Sequence, residues 1–485
     1  MKRERIIFLL SCLLVLLSFQ HTSAQNVKSN RVHAVTDLSH EFSFYADHRF
    51  HQQYLKGHKG VTNWCDLYHV DFSNANLLIL LSCDDRIDYT PEDLKTINDF
   101  LNDGGGVVVF GSEKTRAQNT LLKNFGTQFS EAATLPFKAE ERFSNTEIEA
   151  ANGAVLDFNQ AKSWQVIVSD SENKPVMAKT KVGAGTLLVA SRSLAGSHPS
   201  ARDSINVELW KTILPEIASG KKVNANQPFK GCGIENLEYS EDMGSFVLTY
   251  NDYMKPYAGA MEEVYKRTFP FIETRMGVPL SPGMASKITL LATGGGGFSS
   301  GAVIALAVWW GGFPERDDSM IEFLTHESVH SWVLPFAEVW NEPIATYVGN
   351  LVMMDMGYKE EAEKRIAKTI ERALKYDADM TNYDLQGNLT GEGVELEKGA
   401  RNDIHWGKSY WILEQLRKEN PTLLADYFKL KRTYAKPENI SSYGMNETVT
   451  LLSMAMKKDM FTWFNQHGIK VNKSDSLIKE DLNQK

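Results

Sequence analysis

"THESVHSWVLPFAEVWNEPIATY", residues 325–347, is the stretch on which the reading of this 485-residue chain turns. Just upstream, Ser319 and Glu322 have the S-x-x-E spacing of a capping box and predict a helix start. Met320, Ile321, Phe323, Leu324 and Val329 supply the apolar positions that would bury that helix. His326 and His330 are four apart, so they project from one helix face about a turn from each other. Two neutral imidazoles placed so can both bind a tetrahedral zinc ion. Glu327, beside the first of them, is positioned as a general base.

Three fixed positions in five also arise by coincidence, so the context decides. A catalytic zinc takes three protein ligands and leaves the fourth position for water. Glu342 follows His330 by twelve positions, room for a loop and a new helix, which Asn341 can cap and Pro343 can enter in its first turn. Ile344, Ala345 and Val348 predict that this second helix is buried, where a carboxylate is costly unless paired or metal-bound. The candidate metal ligands are therefore His326, His330 and Glu342, with Glu327 as the catalytic base and Zn2+ as the cofactor.

Upstream, "YAGAMEEVYKRTFPFIETRM" reads as an amphipathic helix, and "SKITLLAT" and "AVIALAVWW" as strands. Between the strands, "GGGGFSSG" has no lysine and leads into a strand, unlike a phosphate-binding loop. It suits either a loop arching over a cleft or a plain turn. Helices dominate from there to the end, broken by the acidic segment 377–403, which lacks the ligand spacing of a calcium loop and reads as solvated.

The first half has a different rhythm. "ANLLILLSC" is a continuous apolar run of the kind buried in a parallel sheet. "TPEDLKTINDFLNDGGG" is a helix capped by Thr90, opened by Pro91 and stopped by glycines. "GVVVFGS" is the next strand, and "KPVMAKTKVGAGTLLVASRSL" a hairpin turning at "VGAG". Strand, helix, strand in this order predicts an α/β doubly wound N-terminal domain. Residues 223–240, polar with Gly and Pro, read as a linker, giving domains at 25–222 and 241–485. The histidines between His33 and His69 form no pair with a strong ligand signature and read as surface residues.

"MKRER" followed by "IIFLLSCLLVLLSF" and "HTSAQ" has the form of a signal peptide over residues 1–24, cleaved near Ala24. Its apolar run is short of the roughly 20 residues that span a bilayer, so a secreted or periplasmic protein is expected, with no membrane span. The net charge of −9 argues against nucleic acid as the partner. Cys65, Cys83 and Cys232 follow the signal segment; a Cys65–Cys83 bridge or three free thiols are both open.

Two resemblances follow from these motifs. "NLLILLSC…FLNDGGGVVVFGS" with "GAGTLLVAS" resembles the glutamine-amidotransferase-like flavodoxin fold. Cys83 lacks the glycines of the amidotransferase nucleophile elbow, so the resemblance implies a non-catalytic domain. "HESVHSW" followed by "VWNEPIATY" resembles the gluzincin metallopeptidases, in the aminopeptidase N-like pattern. That resemblance implies an α+β zincin-like domain with a mostly helical C-terminal part, and a protein, peptide or glycoprotein substrate. His326, His330 and Glu342 match the family's zinc ligands, Glu327 its base, and Trp332, Asn341, Ala345 and Tyr347 its structural consensus. The element that reads a free amino end is absent, which favours an endopeptidase over an aminopeptidase. "SGAVIALAVWW" stands in its place, making Gly301 and Ala302 candidate substrate-binding positions. By the same analogy His405, with Tyr410 second, is the candidate for stabilising the oxyanion. The competing expectation is an exported, non-catalytic glycan- or protein-binding protein on the same scaffold.

Overall fold

The computed structural model describes residues 31–479 apart from 41–53, 82–86, 144–146, 149, 151, 159–162, 196–205, 245, 285, 292–295, 301–302, 309, 334–339, 386–398 and 436–441. The signal segment, Cys83, Gly301 and Ala302 lie outside the described residues.

The apolar runs of the first half build a nine-stranded sheet. Five strands are parallel, in the order Lys59–Asn63, His33–Asp37, Leu77–Leu80, Gly106–Gly111 and Gly185–Ser191. The remaining four, Pro175–Val182, Gln165–Ser169, Phe137–Ala139 and Glu147–Ile148, continue antiparallel. The expected parallel sheet is thus the first part of a mixed one. The hairpin at Val182↔Gly185 reverses the strand direction, and the strands beyond it keep alternating.

Successive side chains of a strand point to opposite faces, which is why the runs are continuously apolar. Leu77 and Ile79 pack with Val108, Leu188 and the Trp210 and Ile213 of helix Asn206–Ile217. Leu78 and Leu80 pack with Val107, Val109 and the Ile97 and Leu101 of helix Pro91–Asn102. Both faces are therefore covered. Thr90 and Asp93 cap the latter helix reciprocally, with Pro91 at its start.

Residues 223–240 do not hang free between the two halves. Cys232 is disulfide-bonded to Cys65, and Trp64 N–H donates to the Cys232 carbonyl at 2.9 Å. Gly231 lies so close to strand Lys59–Asn63 that a Cβ there would meet the Thr62 oxygen at 1.8 Å. Of the two openings for the cysteines, neither is realised: Cys65 pairs with a partner 167 residues away.

Nor are all the early histidines on the surface. His33 and His40 are buried, each 1% exposed. His40 Nδ1 lies 3.0 Å from Asp37 and its Nε2 3.5 Å from Asp93. Burial alone would lower the imidazole, but the two carboxylates outweigh it and raise His40 to about 9. A raised folded-state value means the charged pair contributes fully below the unfolded value near 6.5, and that contribution is lost as pH rises through 9. Stability of the wild type should fall by about 3 kcal/mol more than that of His40→Asn between pH 6.5 and 9.5, on the order of 1.4 kcal/mol per unit. Denaturant melts of both proteins across that range check it; parallel curves would contradict it.

The second half begins with a five-stranded sheet in the order Tyr239–Asp242, Val247–Tyr250, Lys287–Leu291, Val303–Ala307 and Gly297–Ser299. Its middle three strands are parallel and both outer ones antiparallel. Leu248, Ile288, Ile304 and Leu306 pack against Met261 and Tyr265 of helix Lys255–Met276 and Met320 and Leu324 of helix Asp318–Val333. From there to residue 479 the described chain is helical, around a core that includes Val329, Ile344, Val348, Tyr410 and Leu413. The acidic segment is not wholly solvated. Asp377 is fully buried, 3.3 Å from the equally buried Lys408. Among the described residues no helix is long and apolar enough to cross a membrane.

Candidate metal centre

Helix Asp318–Val333 carries the two histidines and helix Asn341–Asp355 the glutamate, and the two helices pack closely against each other. The spacing of four does what it predicts. His326 and His330 turn their Nε2 atoms to one point, 3.2 Å apart. Glu342 reaches the same point, with Oε2 3.4 Å from His326 Nε2 and Oε1 3.6 Å from His330 Nε2. Ligands at about 2.0–2.1 Å around a tetrahedral zinc stand roughly 3.3–3.4 Å from one another. Glu327, whose carboxylate is 4.0 Å from His326 Nε2, completes with the two histidines a group whose ligand atoms all lie within 4.8 Å, whereas Glu342 meets the two histidines through a different oxygen each. The shorter distances favour Glu342 as the third ligand and leave Glu327 beside the centre.

The outer nitrogens fix the tautomers. Asn341 Oδ1 can only accept, so His330 Nδ1 donates to it at 3.0 Å. Thr346 donates its own proton to the Glu342 carbonyl, so its oxygen accepts from His326 Nδ1, also at 3.0 Å. Both Nε2 atoms then present lone pairs to each other and to a carboxylate. Such a set suits a cation. Burial opposes a positive charge on His326, but Glu342, Glu327 and Glu322 outweigh it and raise that imidazole. His330 is lowered, by burial first and by His326 second. Glu342 is lowered, through its bond with His326, despite partial burial, and His405 adds to that. Burial pushes Glu327 up to about 7, with Glu342 and Glu322 adding and His326 opposing.

Three expectations change in detail. Glu342 is not buried: it lies in the first turn of its helix, and its side chain is half exposed to the cleft. Asn341 does not cap that helix, because its side chain is taken by His330. Ser319 sits inside the motif helix, one residue past its start, and its hydroxyl accepts from Arg365 at 3.0 Å. Thr346 was not foreseen. It follows Glu342 by four, the same-face spacing that could have found it.

The centre opens into a cavity of about 520 Å3, lined on one side by Gly296, Gly297, Phe298 and Ser299. The described part of the glycine-rich segment, 296–299, therefore borders a cleft. A Cβ on Gly297 would meet Phe323 of the motif helix at 2.6 Å, so only glycine lets the strand ride this close. Strand Val303–Ala307 is internal, paired on both sides, and the edge is Gly297–Ser299. Tyr410 is buried against Tyr347 and lines a neighbouring cavity with Glu322 and Thr346. His405 lies about a turn and a half earlier on helix Ala400–Glu419, and neither it nor Tyr410 is among the described residues that line the cavity at the centre. Trp332 Nε1 donates to the Val278 carbonyl at 2.9 Å and ties the motif helix to the turn that follows helix Lys255–Met276.

No family model matches the chain, and no curated protein matches it. Solved structures match at a low level. The mmIFT52 N-terminal domain is 14% identical over 38% of this chain and 97% of that chain, with a TM-score of 0.33. A ThuA-like protein from Parabacteroides merdae is 11% identical over 42% and 95%, with a TM-score of 0.30. Native yeast LTA4 hydrolase is 13% identical over 48% of this chain and 39% of that chain, with a TM-score of 0.33. At such scores these likenesses carry no argument about this protein's function.

Asn341→Ala tests the outer contacts. Removing the partner of a metal-bound histidine weakens affinity about 10- to 100-fold. If the centre binds a metal ion, titration against a competing chelator should show that loss with the fold intact; an unchanged affinity would mean that Asn341 does not orient His330.

Proposed function

We propose that this protein is an exported zinc metallopeptidase that cuts peptide bonds within proteins or glycoproteins. The reading joins a non-catalytic, flavodoxin-like domain at 25–222 to a gluzincin-type, zincin-like domain at 241–485. One observation carries it: two histidine Nε2 atoms and the Glu342 carboxylate converge within 3.2–3.6 Å while both outer nitrogens are already engaged. His326, His330 and Glu342 would hold the ion.

Zinc bound there would polarise the scissile carbonyl and acidify a water molecule. Glu327 takes the proton of the attacking water and delivers it to the leaving nitrogen. His405 donates to the developing oxyanion. The edge strand Gly297–Ser299 borders the cleft, and an extended substrate laid beside it would pass the centre. The absence of an amino-end reader favours cleavage inside a chain.

A mixed peptide and glycopeptide library, analysed by mass spectrometry, tests the reading. Internal cleavage should appear, stop after treatment with a chelator, and return when zinc is added back. Hydrolysis indifferent to chelation would contradict it.

A further inference from the structure

A second group of metal-ligand type stands at the junction of the two halves. Asp66, His69 and Asp252 each offer a ligand atom, all within 4.8 Å of one another. Atoms that close can share one cation. The three come from separate places in the chain. Asp66 precedes and His69 ends the short turn Leu67–His69 of the first half. Asp252 begins the turn Asp252–Met254 of the second. Glu238, from the linking segment, accepts from the Asp66 N–H at 2.8 Å.

The independent sign of a ligand is an unanswered oxygen. Asp66 is 0% exposed. Its Oδ2 accepts from the Asp252 N–H at 2.9 Å and from Tyr68, but its Oδ1 has no hydrogen-bond partner. Oε2 of Glu238 is likewise buried and without one. Asp252 is bonded by Tyr68 at 2.8 Å and by Tyr239. Three carboxylates thus gather with two buried oxygens unsatisfied. Each such oxygen costs free energy that a bonded partner would return.

We propose that Asp66, His69 and Asp252 bind a divalent cation, with Glu238 in support, and that this ion staples the first half of the protein to the second. The carboxylate–imidazole set suits manganese or zinc better than calcium, which prefers an all-oxygen shell. The competing account is a proton held between Asp66 and Glu238. Burial first, and the neighbouring carboxylate second, push Asp66 up to about 7, which is the environment either occupant would answer.

The test uses the full chain carrying His326→Ala and His330→Ala, so that the cleft plays no part and its failure is separate. Mn2+, Zn2+ and Ca2+ are each added alone, with bound metal measured by equilibrium dialysis and stability by thermal melting. One Mn2+ or Zn2+ should bind per chain and raise Tm by about 3 °C at saturation. Adding His69→Ala, an exposed position with little to lose in folding, should weaken binding at least tenfold. Asp252→Asn should do the same. No binding by any of the three ions at millimolar concentration overturns the proposal in favour of the shared proton. Binding that His69→Ala and Asp252→Asn both leave unchanged overturns it as well.

Discussion

If the protein is the zinc peptidase proposed above, Glu327→Gln should lose about a thousandfold in peptide hydrolysis while keeping its zinc, within the range a positioned general base contributes. The side chain keeps its size, so the packing around Glu327, itself 5% exposed, is not disturbed by volume. What disappears is the buried carboxylate that accepts the proton of the attacking water and passes it on. The loss should therefore fall on kcat, with KM nearly unchanged. A variant that retains wild-type turnover would remove Glu327 from the mechanism. One that loses zinc as well would make it a ligand and would shift the third-ligand role away from Glu342.

The second large effect is expected from His330→Ala. His330 is 6% exposed and its two nitrogens are both committed, one to Asn341 and one to the centre. Removing it leaves His326 and Glu342, two protein ligands where a catalytic zinc uses three. Activity should drop below detection, and after gel filtration the variant should carry one zinc ion fewer than the wild type. The overall fold should persist, because the packing of the two helices rests on Val329, Ile344 and Val348 in the core behind the site. Circular dichroism unchanged from wild type would confirm that the loss belongs to the site.

Much of this arrangement is legible in the sequence because it is local. Helical period places His326 beside His330, and continuous apolar runs such as "LLIL" mark strands covered on both faces. What could not be read is set by tertiary contact. Asn341 before a helix looks like a cap, and only the approach of the motif helix turns it to His330. Glu342 looks buried from its apolar neighbours, yet the first turn of its helix faces an open cleft. Cys65 finds Cys232 because residues 223–240 fold back on the first sheet, which composition does not reveal. Asp66, His69 and Asp252 carry no spacing signal at all, since Asp252 reaches the other two only after 186 residues and a second sheet.

The claim on which the account stands is that the cleft holds zinc. Its most direct measurement is the zinc content of the purified full chain, compared with that of the His326→Ala/His330→Ala double variant under non-chelating conditions. The account predicts one more zinc ion per chain in the wild type than in the double variant. Equal zinc content in the two proteins would contradict it.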